Sequence, residues 1–300
     1  MLTTLAAMLI SAFVILLLMI GGVWWRQERI AYQPPRQWPS SPADVRRIDY
    51  TAADGQHLFA FVLEPDVTPA GVLVAFHGNA DLAVWQIPWA REVARRTGWC
   101  IVLAEYRGYG GLDGLPTYNG VREDACAAWH AAQRIAREWE VPFALFGHSL
   151  GSAVATELAA EIGRSDDATT RHGVLSALLL QSPFTSARDM ARIVSARPVQ
   201  ILWSLISRVH YDSRVHLRGI NTRVSIAHGA RDWLVPVSMG RDLFTEARVV
   251  GQLLVVESAG HNDVPQAGGD TYWSWLSDAL IDRPATYLGA ESIPRTETLD

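Results

Sequence analysis

Pro142-Phe143-Ala144-Leu145-Phe146-Gly147-His148-Ser149-Leu150-Gly151 is an apolar run that ends in a G-x-S-x-G serine and opens onto the helix-forming stretch Ser152 to Ile162. A strand, a sharp turn and a helix around such a serine predict a nucleophile elbow. Glycine is needed there because strand and helix backbones nearly touch, leaving no room for a Cβ, while the turn holds the serine in a strained conformation. Ser149 then stands exposed at a strand end as a candidate nucleophile. The alternative reading of the same serine is a small residue in a tight turn, and the residues that follow it decide between the two.

An acid after one later strand and a histidine after another are what a serine nucleophile requires. Arg223-Val224-Ser225-Ile226-Ala227 reads as a buried strand that ends in His228-Gly229-Ala230-Arg231-Asp232, with Val235-Pro236 beyond. Asp232 is the candidate acid, ahead of Asp212, Asp242 and Asp263, because it follows a strand end; capping the helix near Val237 is its structural alternative. Gln252-Leu253-Leu254-Val255-Val256 is the next strand, and Glu257-Ser258-Ala259-Gly260-His261-Asn262-Asp263 follows it. His261 is the candidate base, since His172, His210 and His216 lie in polar or lid segments and His228 sits inside a strand-end turn. The chemistry needs all three groups. A serine hydroxyl is a poor nucleophile at neutral pH, an imidazole must take its proton, and a carboxylate must fix the imidazole's tautomer.

Two backbone N–H groups for the tetrahedral oxyanion should come from the elbow and from an earlier strand end. Gly71-Val72-Leu73-Val74-Ala75-Phe76 is such a strand and leads into His77-Gly78-Asn79-Ala80, so Asn79 and Leu150 are the candidate donors. Trp99 to Ala104 leads into Glu105-Tyr106-Arg107-Gly108-Tyr109-Gly110, a loop that borders the same pocket, in which Glu105 and Arg107 read as an ion-paired brace. His77, His228 and Asp232 lack any metal-binding spacing, and the sequence calls for no metal or cofactor.

These blocks, with Ser182-Pro183-Phe184-Thr185-Ser186, resemble the Bem46-like α/β-hydrolases, a group that includes membrane-associated lipid esterases and protein depalmitoylases of the ABHD type. The resemblance runs from about Asp49 to Leu280. It implies an α/β-hydrolase fold, with Ser149, Asp232 and His261 as the triad and Asn79 and Leu150 as oxyanion donors. The chain departs from the group at Asp81-Leu82, where members often carry a Gly-Asn pair, and at Gly111 to Thr117, where they tend to carry a serine-rich sequence. Both departures fall at the pocket rim and bear on substrate choice.

The first 25 residues carry no ionisable side chain, and Leu5 to Val23 is apolar except for Ser11 and the glycines. About 20 helical residues span the hydrocarbon core. Trp24 and Trp25 fall where interfacial aromatics belong, and Arg26 and Arg29 follow. A cleaved signal peptide would show a positive n-region, a shorter apolar run and an A-x-A-like site. The reading is therefore an uncleaved single-pass anchor, and Arg26, Arg29 and Arg36 after the span place the catalytic domain on the cytoplasmic side by the positive-inside rule. The resemblance, by contrast, includes proteins whose catalytic domains face away from the cytosol.

Residues 1–25 are thus expected to be a transmembrane anchor, 26–45 a Pro-rich linker, 46–282 the hydrolase domain with a short lid at 184–221, and 283–300 a tail. Arg46 to Thr51 and His57 to Leu63, joined at Asp54-Gly55, read as a hairpin that starts the sheet. Beyond it, strands alternate with helical stretches at Ala83 to Arg96, Val121 to Glu138, Leu150 to Ile162, Val237 to Glu246 and Asp270 to Leu280. This rhythm implies a mostly parallel sheet covered on both faces, with the site at the strands' C-terminal ends. Gly163 to Gly173 reads as a polar loop, and the lid carries Met190, Ile193, Val194, Val199, Ile201, Leu202, Trp203, Leu205 and Ile206.

At 49% hydrophobic and 19% charged residues, 300 residues suit one large domain, and a net charge of −5 gives no nucleic-acid surface although every basic residue is arginine. Cys100 and Cys126 form no disulfide framework and read as buried thiols. The expected function is a membrane-anchored serine hydrolase of acyl esters or thioesters. An amidase or peptidase with the same triad, or an anchored scaffold that keeps the fold, are the alternatives. No triad candidate precedes Pro42, so a chain starting there is expected to be soluble and still to hydrolyse small esters.

Overall fold

Side chains alternate across a strand, and that period divides this core into two layers. The computed structural model describes residues 2–137, 139–164, 175–194, 197, 200, 203 and 206–281. Its strands are β1 (Arg46–Thr51), β2 (His57–Leu63), β3 (Val72–Phe76), β4 (Cys100–Ala104), β5 (Phe143–His148), β6 (Leu175–Gln181), β7 (Arg223–Gly229) and β8 (Val250–Val256). They form one sheet in the order β1-β2-β4-β3-β5-β6-β7-β8. β1 pairs with β2, and β2 with β4, antiparallel. Every pairing from β4 through β8 is parallel. The expected hairpin at 46–63 is present with its expected limits, and the fold is the α/β-hydrolase fold.

Eight helices are described: α1 (Leu2–Ala31), α2 (Ile87–Thr97), α3 (Tyr118–Ile135), α4 (Leu150–Arg164), α5 (Ala187–Val194), α6 (Ser213–Leu217), α7 (Val237–Glu246) and α8 (Val264–Leu280). On one face of the sheet Val72, Val74, Phe76, Val102, Leu178 and Leu180 pack with α3, α4, α6 and α7. On the other face Leu73, Ala75, Ile101, Leu103, Phe146 and Leu179 pack with α2 and α8. Odd and even positions of the same strands therefore serve opposite layers, which is why the central strands read as unbroken apolar runs. α8 begins earlier than the expected Asp270 because Gly269, at φ 49°, bends the helix and a further turn precedes it.

The N-terminal boundary differs from expectation. α1 continues through Ala31 rather than ending at residue 25, and Tyr32 is buried in the same core layer as α3 and α4. The reason lies in its last turns: Gln27 and Glu28 are buried against the α/β domain, whereas most of the apolar residues before them are exposed. Residues Thr4–Ala31 form a helix long and apolar enough to cross a membrane, with a mean hydropathy of 2.6 over its best window. Val199, Ile201, Leu202 and Leu205 of the expected lid, residues 165–173 of the expected polar loop and the expected tail at 283–300 lie outside the described residues.

Candidate active site

The turn between β5 and α4 holds Ser149 at φ 52°, a left-handed conformation that is unusual for a non-glycine residue. Its surroundings fix it there: the Ser149 N–H donates to the Gln181 carbonyl at 2.9 Å, and its own carbonyl accepts from the Ser152 hydroxyl at 2.5 Å. A Cβ on Gly147 would lie 2.1 Å from the Gly151 carbonyl oxygen, and one on Gly151 would lie 2.1 Å from that of Phe76. No side chain fits either position. The Leu150 N–H belongs to the first turn of α4, whose first four amides lack intrahelical partners and favour negative charge.

Ser149 Oγ lies 2.9 Å from His261 Nε2, and His261 Nδ1 lies 2.6 Å from Asp232 Oδ2. With Nδ1 donating to the carboxylate, Nε2 is left free to accept from the serine hydroxyl. The three residues come from the ends of β5, β7 and β8. Asp232 is held by more than His261. Its Oδ1 accepts from the N–H groups of Leu234 (2.9 Å) and Val235 (2.7 Å), and His228 Nε2, which donates to the Val235 carbonyl at 2.9 Å, also lies 3.2 Å from Oδ2. Burial opposes its ionisation, but the hydrogen bonds from His228, His261 and Val235 outweigh burial and hold the carboxyl well below the usual range.

The competing acids are engaged elsewhere. Asp212 caps α6 by accepting from the Val215 N–H, Asp242 pairs with Arg214, and Asp263 accepts from the Gly260 N–H. The loop that carries His261 is also pinned: the His261 carbonyl accepts from the Ser182 hydroxyl at 3.1 Å and from His148 Nε2 at 3.2 Å. Burial, then the neighbouring His261 ring, push the His148 pKa down, so the imidazole beside Ser149 is neutral. Neither His148 nor His228 was assigned a role from sequence. His148 lies inside the G-x-S-x-G block and His228 four residues before Asp232, but only the turns bring their rings to the candidate triad.

Asn79 follows Gly78 in the loop after β3, where His77 Nδ1 donates to the Gly78 carbonyl at 2.8 Å. The other ring nitrogen, Nε2, lies 2.6 Å from Glu105 Oε1, so both nitrogens face oxygen atoms and the carboxylate favours the protonated ring. Burial works against that charge, yet the Glu105 carboxylate overrides it and the His77 pKa is raised. The expected Glu105–Arg107 brace is therefore replaced by two separate ones. Glu105 pairs with His77, and Arg107 pairs with Asp124 (2.7 Å) and Asp54 (2.6 Å). Cys100 is buried and Cys126 half-buried; both are free, and burial pushes both thiols up to about 12.

The sequence model of the serine aminopeptidase S33 family matches residues 67–220. The chain belongs to that family. Among relatives of this S33-family α/β-hydrolase is an uncharacterized protein of Mycobacterium tuberculosis, 28% identical over 254 residues, covering 81% of this chain and 83% of that protein. The lysophosphatidylserine lipase ABHD12 of Danio rerio is 29% identical over 192 residues, covering 58% of this chain and 46% of that protein. An esterase of Pyrococcus furiosus has the same fold, with a TM-score of 0.65 at 17% identity over 83% of this chain and 98% of the esterase.

Proposed function

We propose that this hydrolase is a membrane-anchored serine esterase or thioesterase that acts on acyl or lipid-like substrates through an acyl-enzyme. The observation that carries the reading is the hydrogen-bonded series Ser149 Oγ, His261, Asp232, set on three strand ends with the serine in a strained turn. In acylation, Ser149 Oγ attacks the carbonyl carbon as its proton passes to His261 Nε2, and the Asn79 and Leu150 N–H groups donate to the oxyanion that forms. His261 then gives that proton to the leaving alkoxide or thiolate as its bond to the acyl carbon breaks. Water repeats the sequence with His261 as base, releasing the acid and restoring the serine hydroxyl. Asp232 stabilises the imidazolium in both halves.

Support for an acyl substrate in a membrane comes from the apolar α1 and from relatives that are lysophosphatidylserine lipases. Arg26 and Arg29 are exposed after the apolar stretch, which favours a cytoplasmic catalytic domain. The family's aminopeptidase description keeps amide cleavage as the second reading. The test is turnover of an acyl-ester series graded by chain length, beside a matched anilide, by full-length protein in detergent. Ser149→Ala and His261→Ala are each expected to lose ~10⁴-fold or more in kcat with little further loss together. Wild-type turnover by Ser149→Ala, or preference for the anilide, overturns the respective part.

A further inference from the structure

The side chain of Asn79 does something that its backbone role does not require. Its Nδ2 donates to the Ala31 carbonyl at 2.7 Å, and its Oδ1 accepts from the Gln33 N–H at 2.9 Å and the Tyr109 hydroxyl at 2.8 Å, besides the N–H of the next residue, Ala80, at 3.2 Å. Ala31 ends α1, so its carbonyl is among the last four of the helix and has no intrahelical partner. The oxyanion loop therefore caps the membrane helix. Between these two bonds, Tyr32 enters the core and its hydroxyl meets that of Tyr211 at 3.0 Å.

A second set of bonds holds the same helix end one turn earlier. Gln27 Oε1 accepts from the Arg208 N–H at 2.6 Å, its Nε2 donates to the Ile206 carbonyl at 3.3 Å, and Glu28 pairs with the Arg208 guanidinium at 2.9 Å. The end of α1 thus bridges the loop after β3 and the Ile206 to Arg208 segment within the expected lid region. The neighbour of Asn79 in that loop, Ala80, stands at φ 53°, and strained residues persist only where their surroundings over-determine them. A helix that served only as a tether would need chain continuity and no polar bonds to this loop.

The geometry points to the last turns of α1 as a working part of the active site: through the Asn79 side chain they hold the oxyanion loop in register, which makes Asn79 a positioning residue as well as an amide donor. This rests on the reading of Ser149 as nucleophile and of Asn79 and Leu150 as oxyanion donors. Displacing a donor by about 1 Å is enough to cost ~100-fold in rate. Motion of α1 against the catalytic body is thereby passed to the group that stabilises the transition state.

The test uses full-length protein in detergent micelles and p-nitrophenyl acetate, a soluble ester that has no need of the membrane. Asn79→Ala keeps the backbone amide and removes the bonds to Ala31, Gln33 and Tyr109, together with the local one from the Ala80 N–H; the pair Gln27→Ala with Glu28→Gln weakens the hold of Ile206 and Arg208 on the helix end without touching the loop. Asn79→Ala is expected to lower kcat ~10- to 100-fold with KM within about twofold, and the pair is expected to lower kcat in the same direction. Combining all three should cost no more than Asn79→Ala alone, because both routes sever one linkage. A purely structural seat for the helix predicts a lower melting temperature with kcat intact. Unchanged kcat, losses confined to KM, or losses that multiply on combination would overturn the inference. If Asn79→Ala fails to fold, the pair decides alone. An inactive Ser149→Ala beside an unimpaired Asn79→Ala defeats only the linkage, whereas a fully active Ser149→Ala defeats the reading beneath it.

Discussion

His77 donates from Nδ1 to the carbonyl oxygen of Gly78, and that carbonyl shares a peptide unit with the Asn79 N–H. The ring therefore sets the plane in which the candidate oxyanion donor lies. A charged donor on the carbonyl side also polarises the N–H on the other side of the same peptide. Glu105 favours the protonated ring from behind, while its second oxygen accepts from the Ala83 N–H and so ties the pair to the turn that follows the loop.

His77→Asn is accordingly expected to lower kcat more than it raises KM for a small ester. The stability effect has a defined pH window. The His77 pKa is raised in the folded state, with burial opposing and Glu105 prevailing, so the folded chain binds that proton more tightly than the unfolded one. The contribution is fully present below the unfolded value, about 6.5, and is lost as pH rises through the folded one. Thermal melts of wild type and His77→Asn at a series of pH values should show the largest gap on the acid side of neutrality, closing in alkali. A gap that widens with alkali would contradict the charged pair.

Asp232 carries the opposite sign. Burial raises its pKa, but the bonds from His228, His261 and Val235 prevail and lower it, so its contribution is present above the unfolded value of about 3.9 and is lost as pH falls through the folded one. Asp232→Asn should show its largest deficit in melting temperature against wild type near neutrality, with the two converging in strong acid. Its kcat is expected to fall ~10⁴-fold, since an amide that donates to Nδ1 would leave Nε2 protonated and unable to accept from Ser149. A loss of less than tenfold would mean that another acid serves His261.

Much of this site was legible because its chemistry sits in short strand-to-turn segments. Gly147 to Gly151, Ala230 to Asp232 and Gly260-His261 each pair an apolar run with a polar end, and those runs are β5, β7 and β8. The braces were not legible, because they join ends of strands that are neighbours only in the sheet. β3 lies beside β4, which puts His77 against Glu105 across 28 residues, and Arg107 finds Asp124 on α3 rather than the acid two positions away. The α1 boundary was missed for a different reason. An apolar span followed by Trp24-Trp25 and then prolines reads as anchor and spacer, and nothing local reveals that Gln27, Glu28 and Tyr32 are buried against Arg208 and Tyr211.

Gly78 tests how tightly the oxyanion loop and the elbow are packed together. A Cβ there would lie 3.0 Å from His148 Nδ1 and 3.4 Å from Ser149 Cβ. Gly78→Val must push on both, and His148 in turn holds the His261 carbonyl. Steady-state kinetics on a small ester are expected to show kcat reduced ~10²-fold with a smaller change in KM, because the displaced bonds are strongest in the transition state. A change in KM alone, with the fold intact by circular dichroism, would assign the His77 to Ala80 loop to substrate binding.

Two truncated chains separate the membrane span from the docked helix end. A chain that begins at Arg26 loses the apolar span yet keeps Gln27, Glu28, Ala31, Tyr32 and Gln33; one that begins at Pro42 loses them all. By triad content alone the two should be equally active. The packing says otherwise. Without Tyr32, which is 2% exposed, the core layer against α3 and α4 loses a buried aromatic, a change worth ~3–5 kcal/mol by analogy with Phe→Ala substitutions. At roughly 2–4 °C per kcal/mol for a domain of this size, the melting temperature should drop on the order of 10 °C. Asn79 also loses its partners at Ala31 and Gln33, so kcat for a soluble ester should fall in the chain from Pro42 and remain near the full-length value in the chain from Arg26. Equal kcat in the two chains, measured well below both melting temperatures, would show that the helix end stabilises the domain without shaping its oxyanion loop.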